Sequence, residues 1–198
     1  MIGPDLVVAT GNAGKVAELE AIFADLPVRL RLQSEFSVIP AEESGETFVE
    51  NALLKARAAS AQTGLPALAD DSGLAVDALD GAPGVYSARY AGDAGDAANN
   101  RKLLGALADT PDGQRQARFI CVLVLLRHAH DPIPLIAQGQ WEGRILRAAR
   151  GAGGFGYDPL FAPVGSDTSA AELAREEKNR ISHRALAAAQ LRELLRRL

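Results

Sequence analysis

The sequence predicts an α/β fold, because stretches with helical spacing of apolar residues alternate with short, strongly apolar runs. An apolar run at residues 6–9 ends in a tight turn, and from Ala13 onward the apolar side chains recur at helical intervals. A second helix is predicted over residues 47–61. The apolar runs at 117–126 and 133–141 predict two strands that pair across a turn. Strand, turn and helix therefore follow one another along the chain.

The remaining elements follow from the same patterns. Residues 28–39 predict one or two short strands, residues 74–79 a strand, and residues 85–90 a loop or short helix. Residues 96–108 predict a helix, and residues 143–146 continue the sheet. The last helix is predicted to bury a stripe made of Ala187, Leu191, Leu194 and Leu198.

Length and composition indicate one soluble domain. The 198 residues are 47% hydrophobic and 23% charged, and no repeat, low-complexity tract or linker divides them, so a single domain over 1–198 is predicted. No apolar run reaches the length of about 18 residues that a membrane span needs. The start of the chain lacks the features of a signal peptide, so a cytoplasmic location is expected. The single cysteine, Cys121, excludes an internal disulfide and is expected to be a buried structural thiol.

The charge is distributed unevenly. Residues 175–198 hold seven Lys or Arg and three Glu, a local charge of +4, which leaves −8 for the rest of a chain whose net charge is −4. A basic segment of this kind is compatible with salt-sensitive nucleic-acid binding. Basic and aromatic residues do not interleave as a strand-binding groove requires, so a helix with a solvated basic face is favoured. Neither a nucleic acid nor a membrane is expected as a partner.

The turn Thr10-Gly11-Asn12 is a candidate phosphate site. It lies between the first strand and the first helix, where free backbone N–H groups attract phosphate, and Lys15 adds a positive charge in the first helical turn. The pattern is not a P-loop, which requires Gly-Lys-Ser/Thr after a Gly-rich loop. A capped helix without a ligand is the alternative.

Two adjacent carboxylates, Asp70 and Asp71, follow an apolar stretch and precede Ser72 and Gly73. Successive residues of an extended chain point to opposite sides, so one Asp can face a site while the other holds the backbone or a second ligand. Mg²⁺ prefers oxygen ligands, and one or two carboxylates with substrate phosphates make a sufficient site. An ordinary polar turn after a strand is the alternative.

The helix over residues 47–61 places Lys55 on its apolar face, where an inward-facing ammonium needs an anion. Snorkelling of the side chain to solvent is the alternative. Glu42 or Glu43, just ahead of this helix, is predicted to approach the Asp pair and to contribute to one metal site. A favourable capping charge is the simpler interpretation of these two acids.

The glycine-rich run at residues 151–156 has the Gly-x-Gly-x-x-Gly spacing of dinucleotide-binding turns, which should open a helix. Pro159 follows almost at once and disfavours helix in the residue before it, so a flexible loop is predicted instead of a Rossmann turn. In such a loop Phe155 can stack on a planar ring, and Asp158 can accept a hydrogen bond from the N–H edge of that ring.

The segment before the last helix ends in Ser182-His183-Arg184. Ser182 is a natural N-cap. His183 and Arg184 then lie in the first helical turn, where an arginine requires a nearby acceptor because that end of a helix favours anions. A histidine that is exposed, or satisfied within the core, is the alternative for His183.

Six short motifs occur in a fixed order: Thr10-Gly-Asn12-x-x-Lys15, Phe48-x-Glu50-Asn51-Ala-x-x-Lys55-Ala, Ala69-Asp-Asp-Ser-Gly73, Gly84-x-Tyr-Ser-Ala-Arg-Tyr90, Gly154-Phe-Gly-Tyr-Asp-Pro159 and Ser182-His-Arg184. Together they closely resemble the inosine triphosphate pyrophosphatase family, whose members clear non-standard purine nucleotides. The match spans residues 6–184, departs from the family at no motif position and is most similar to the bacterial members.

The resemblance implies a fold and a reaction. The expected fold is an elongated, mixed central sheet flanked by helices, with two lobes and a nucleotide cleft between them, usually in a homodimer. The expected reaction is the Mg²⁺-dependent hydrolysis of dITP/ITP and XTP/dXTP to the monophosphate and pyrophosphate, which keeps deaminated purines out of DNA and RNA.

The resemblance also implies roles for individual residues. The triphosphate is held by Thr10, Gly11, Asn12, Ala13, Gly14, Lys15 and Lys55. Glu43 and Asp71 hold Mg²⁺, and Asp71 activates or positions the water that attacks the α-phosphorus. Asp70 is a close competitor for either role, and Ser72 touches the phosphates or the sugar.

Base recognition is expected to depend on hydrogen-bond donors. Hypoxanthine and xanthine present a carbonyl at C6 where adenine presents an amino group, so a pocket built from donors selects against adenine. The residues implied for this pocket are Phe155, which stacks on the ring, Gly156, Tyr157, Asp158 and the donors Lys178, His183 and Arg184.

Two other functions are weighed against this one. A nucleotide sensor that binds the triphosphate without cleaving it would require a lost metal ligand or base, and none is missing. The related pyrophosphatases of modified pyrimidine nucleotides are disfavoured by Phe155 and by the motif at residues 182–184.

Overall fold

The computed structural model describes residues 4–25 and 27–196 and has mixed α/β architecture. The strands of the described residues are β1 (Asp5–Val8), β2 (Arg29–Leu32), β3 (Ala67–Val76), β4 (Gln116–Leu126), β5 (Leu135–Ile145) and β6 (Phe161–Pro163). The α-helices are α1 (Ala13–Phe23), α2 (Phe48–Thr63), α3 (Asp96–Ala106), α4 (Arg175–Ile181) and α5 (His183–Leu195).

The strands form one mixed sheet in the order β2-β1-β3-β4-β5-β6. β1 runs parallel to both β2 and β3, whereas β5 and β6 are antiparallel. The predicted α/β class with a mixed sheet is therefore confirmed. Within the described ranges, no helix combines the length and the apolar character needed to cross a bilayer.

Strand β3 is longer than the sequence suggested. The patterns predict either a polar turn at the Asp pair or a site there, followed by a separate strand at 74–79. The structure instead has one continuous strand from Ala67 to Val76, and along it only Ser72 is not fully buried. The strand continues because both Asp side chains find cationic partners inside the protein, so neither needs a turn at the surface.

Helix α4 was not predicted. Its seven residues contain a single apolar side chain, Ile181, and therefore show no amphipathic period. Its signal is in the charges, because Glu176 and Glu177 lie in the first turn and Lys178 and Arg180 in the last turn. That order complements the helix dipole.

The residues divide into two compact units. The first comprises the described parts of Met1–Asp71, Cys121–Gly139 and Arg184–Leu198. Its core includes Leu6, Leu19, Phe23, Leu68, Cys121, Leu123, Leu125, Ala187 and Leu191. The predicted stripe on the last helix is confirmed for Ala187, Leu191 and the partly buried Leu194, whereas Leu198 lies outside the described residues. Cys121 is a buried free thiol, as expected.

The second unit comprises Ser72–Ile120 and Gln140–His183. Its core includes Leu74, Val76, Leu103, Leu107, Phe119, Trp141, Ile145, Leu160 and Phe161. A single domain, and a cleft between two lobes, stay predictions.

Four of the basic residues that are described near the C-terminus form ion pairs, and two of these four, Lys178 and Arg184, are buried. Lys178 pairs with Asp158, Arg184 with Asp70 and Glu18, Arg192 with Asp25, and Arg196 with Glu193. Lys178, Arg184 and Arg192 are therefore paired with acids from outside this segment, and the absence of a nucleic-acid partner stays a prediction.

Candidate active site

One ammonium group joins two acidic side chains in the first unit. The Nζ of Lys55 donates to Oδ1 of Asp71 at 2.5 Å, to Oε1 of Glu43 at 3.0 Å and to the carbonyl oxygen of Asp70 at 2.9 Å. The prediction that Lys55 faces inward and needs an anion is confirmed. Of the two candidate glutamates, Glu43 is the one that contacts this lysine, whereas Glu42 is exposed.

Helix α2 positions both Lys55 and Glu43. Thr47 and Glu50 form a capping box that fixes the start of the helix, and therefore the face on which Lys55 lies. The loop that carries Glu43 is tied to this helix by Asn51, whose Oδ1 accepts from the Gly45 N–H at 2.8 Å. A Cβ on Gly45 would lie 2.6 Å from the Glu50 Cβ, so only glycine permits this approach.

The carboxylates of Asp71 and Glu43 and the ammonium of Lys55 influence one another's pKa values. Burial raises the pKa of Asp71 above its ordinary value although Lys55 opposes the shift, and the negative charge of Glu43 adds to it. Burial would lower the pKa of Lys55, but the carboxylates of Asp71 and Glu43 outweigh burial and raise it. Two carboxylates that lie this close together favour a cation beside them.

The donor set fits a magnesium ion. Oδ2 of Asp71 is buried and has no hydrogen-bond partner among the described residues. Within residues 4–25 and 27–196 no group of three or more His, Cys, Asp or Glu is placed to hold a metal. A site with only two carboxylates is the kind that Mg²⁺ occupies together with waters and substrate phosphates.

Asp70 occupies a different environment from Asp71. Its Oδ1 pairs with the Lys15 Nζ at 2.8 Å, and its Oδ2 accepts from Nε of Arg184 at 2.7 Å and from the Cys121 thiol at 3.3 Å. Burial alone would raise the pKa of Asp70, but Arg184 and Lys15 hold it well below its ordinary value. Both oxygens of the fully buried Asp70 are thus paired, whereas Oδ2 of Asp71 has no hydrogen-bond partner among the described residues.

The predicted phosphate turn lies at the start of α1. Asn12 caps the helix by accepting from the Lys15 N–H at 3.1 Å, and its own N–H donates to the Thr10 hydroxyl at 3.2 Å. Gly11, Asn12 and Ala13 are exposed, which leaves their backbone within reach of a ligand. The Lys15 ammonium pairs with the buried carboxylate of Asp70, and this contact fixes the position of the ammonium at the turn.

A second cluster lies in the glycine-rich loop of the second unit. Asp158 is buried, and its Oδ2 accepts from the Lys178 Nζ at 2.6 Å and from the Phe155 N–H at 2.9 Å. The Lys178 Nζ lies 4.9 Å from the centre of the Phe155 ring. The loop is not helical, as the proline predicted, and Asp158 is the side chain that shapes it.

Tyr157 and His183 are both buried in the second unit. The Tyr157 hydroxyl donates to the Ser87 carbonyl at 2.8 Å. The His183 ring stacks on Phe119, with 4.8 Å between ring centres and an interplanar angle of 13°. Trp141 continues the stack at 6.4 Å from His183.

Four positioning residues were missed by sequence reasoning. Asp96 accepts from the Gly156 N–H at 2.7 Å, and Asn100 donates to the Gly156 carbonyl at 2.9 Å, so α3 holds the glycine-rich loop. Asn51 holds the loop of Glu43, and Glu18 binds Arg184. Only Asn51 had a sequence signal, its place one turn before Lys55 in the second motif.

Gly154→Ala is expected to disturb the glycine-rich loop. A Cβ at this position would lie 2.0 Å from Oδ2 of Asp158, the atom that holds Phe155 and Lys178, and the backbone φ is +72°. We expect KM for a purine nucleoside triphosphate to rise about tenfold with a smaller change in kcat, as steady-state kinetics will measure.

Gly165→Ala is the matched control for this substitution, since its φ is +78° and its Cβ would meet nothing within 4 Å. Both variants carry the same backbone strain, so only Gly154→Ala tests the contact with Asp158. Equal KM values for the two variants would contradict the importance of that contact.

The fold and the site define an α/β protein with a carboxylate pair suited to a hard cation and a helix start suited to an anion. The Ham1 family model matches residues 6–194 of the chain. This chain belongs to the Ham1 family, which confirms the resemblance that the six motifs predict.

Individual relatives agree with this assignment. A dITP/XTP pyrophosphatase of Pseudomonas aeruginosa is 62% identical over 190 residues, which are 96% of each chain. A dITP/XTP pyrophosphatase of Shigella flexneri is 59% identical over 96% of this chain and 98% of its own. The solved structure of a HAM1 protein from Coxiella burnetii is 50% identical, has a TM-score of 0.91 and matches both chains over their full length.

Proposed function

We propose that this protein is a nucleoside triphosphate pyrophosphohydrolase that converts dITP/ITP and XTP/dXTP to the monophosphate and pyrophosphate. The observation that carries the proposal is the pair of acidic side chains on Lys55, in which Asp71 retains a buried oxygen without a hydrogen-bond partner among the described residues. Relatives that are about 60% identical are dITP/XTP pyrophosphatases, which supports the same reaction.

The triphosphate end of the substrate is assigned to the first unit. Residues 11–14 are assigned to the phosphate oxygens, because backbone N–H groups at a helix start donate to anions. Of these groups, the Asn12 N–H already donates to the Thr10 hydroxyl. Lys15 and Lys55 add two ammonium groups that stabilise the charge developing on the leaving pyrophosphate. Ser72, next to Asp71, is assigned to the phosphates or the sugar.

Glu43 and Asp71 would hold the magnesium ion. When bound, Mg²⁺ supplies neutralisation of phosphate charge and polarisation of the phosphoryl group. Before catalysis, the Lys55 ammonium lies between these carboxylates, so it must yield part of its contact there and turn to phosphate oxygens.

Asp71 is assigned to the attacking water. Its Oδ2 accepts a hydrogen bond from the water and directs it to the α-phosphorus, and it receives the proton as the new P–O bond forms. The bond between the α-phosphorus and the bridging oxygen then breaks, and pyrophosphate leaves with that oxygen.

The base is assigned to the second unit. Phe155 stacks on the purine, and Lys178 donates to the C6 carbonyl that hypoxanthine and xanthine have and adenine lacks. Asp158 orients Lys178 and the Phe155 backbone, while Gly156, Tyr157 and His183 complete the pocket. Direct contact of Arg184 with the base stays a prediction, and the burial of Arg184 between two carboxylates favours an anchoring role.

Product identity tests this function. The protein is incubated with Mg²⁺ and, separately, dITP, XTP, dATP and dGTP, and pyrophosphate, phosphate and nucleotide products are quantified. We expect pyrophosphate and monophosphate from dITP and XTP, sparing of the standard nucleotides, and loss of turnover in EDTA. Phosphate and diphosphate would place the attack at the γ-phosphorus, and tight dITP binding without turnover would indicate a sensor.

A homodimer and a cytoplasmic location complete the proposal. The assembly is tested by light scattering on the purified chain, where a mass of one chain, 20.8 kDa, would contradict a dimer.

A further inference from the structure

Glu18 is a buried acid to which the proposed reaction gives no task. It lies on α1, one helical turn after Lys15, and it is 7% exposed. Its Oε2 accepts a charge-assisted hydrogen bond from Nη1 of Arg184. A buried carboxylate lowers the stability of the folded protein unless it is paired, and the contact with Arg184 provides this pairing.

Glu18 is part of a network of alternating charges. Arg184, with 0% exposure, bridges Glu18 and the equally buried Asp70, to which its Nε donates at 2.7 Å. Asp70 in turn pairs through Oδ1 with Lys15 at 2.8 Å. Two carboxylates and two cations therefore alternate in this network, and two of the four groups, Glu18 and Lys15, lie on α1.

The geometry makes each member depend on the one before it. Glu18 holds one nitrogen of the planar Arg184 guanidinium, so the Nε edge is turned to Oδ2 of Asp70. Nη2 of Arg184 also donates to Oδ1 of Asp70 at 3.5 Å, so Oδ1 is shared between Arg184 and the Lys15 ammonium, which lies nearer at 2.8 Å. Without the charge of Glu18, Arg184 would interact more strongly with Asp70, and the hold of Asp70 on Lys15 would weaken.

Lys15 is the most accessible member of this network. Its side chain is 14% exposed, whereas those of Asp70 and Arg184 are fully buried or nearly so. An ammonium that a buried carboxylate already fixes loses less conformational freedom when it binds an anion than an ammonium on an unrestrained side chain. This smaller loss favours affinity.

We propose that Glu18 is a positioning residue, which acts through Arg184 and Asp70 to hold the Lys15 ammonium at the phosphate-binding turn. This inference rests on the proposed function, because it requires that Lys15 bind the triphosphate. It also gives Arg184 a task at the phosphate end of the site.

The test is a double-mutant cycle between Glu18 and Lys15. Glu18→Gln keeps the shape and removes the charge, and we expect KM for dITP to rise about tenfold with kcat changed less than about threefold. In a Lys15→Met background the same substitution is expected to change kcat/KM by less than about twofold, because its target is gone. Binding of inorganic tripolyphosphate, measured by calorimetry in EDTA, provides the same comparison without turnover.

Glu20→Gln is the matched control, since Glu20 lies on the same helix and is exposed. It changes the charge of α1 equally, and kinetics like those of the unmodified protein are expected. A loss of the same size from Glu18→Gln with and without Lys15 would overturn the inference, as would an unchanged KM.

The folding of Glu18→Gln is checked by its melting temperature and circular dichroism. If it does not fold, Glu18→Asp replaces it in the same cycle, because the shorter acid keeps the charge but withdraws it from Arg184. Failure of the unmodified protein to hydrolyse dITP would reject the proposed function. Turnover by that protein, with equal losses in both backgrounds, would reject the role of Glu18 alone.

Discussion

Asp71→Asn is expected to lower kcat for dITP about 10³-fold or more while the protein still folds. The substitution preserves shape but removes the basic oxygen that directs the attacking water, and a positioned base contributes about 10²–10⁴-fold. It also removes one of the two carboxylates suited to Mg²⁺. Release of pyrophosphate from dITP at saturating Mg²⁺ measures the effect.

Asp80→Asn is the control for this substitution, since Asp80 is exposed and asparagine is at ease at its φ of 51°. It is expected to leave kcat unchanged. Full activity in Asp71→Asn would exclude the role assigned to Asp71 and return Asp70 to consideration.

Arg184→Gln is expected to lower the free energy of unfolding by about 3–5 kcal/mol, because it leaves the carboxylates of Asp70 and Glu18 buried with one cation fewer. Urea denaturation of the two proteins at neutral pH measures the difference. Arg180→Gln removes the same charge from an exposed position, and a change within about 0.5 kcal/mol is expected. A loss under about 1 kcal/mol in Arg184→Gln would show that the network contributes little.

The effect of Arg184→Gln on the free energy of unfolding is expected to depend on pH. In the native protein the pKa of Asp70 lies well below its ordinary value of 3.8, mainly through Arg184 in opposition to burial. Its contribution to stability is therefore fully present well above pH 3.8 and is lost as the pH falls through the lowered value. The stability difference between the native protein and Arg184→Gln should shrink as the pH falls below about 4. A constant difference would exclude Asp70 as the partner that matters.

The sequence by itself determined the features that depend on local patterns. The place of Lys55 on the apolar face of α2 predicted an inward lysine with an anion partner, and the proline after the glycine-rich run disfavoured a Rossmann helix. The six motifs determined the family, because each is short and ordinary alone but their order is not. Helix α4 was missed because its signal is in charge and not in apolar period.

Only the tertiary structure decided what the two adjacent aspartates do. Neighbours on a strand point to opposite sides, so the sequence predicted that Asp70 and Asp71 differ but not which one faces which partner. The partner of Asp70 is Arg184, 114 residues away in sequence, and the partner of Arg184 is Glu18, 166 residues away. No local pattern encodes such a pairing. It exists because folding brings charged groups from α1, β3 and α5 together away from water, where each stays buried only if an opposite charge meets it.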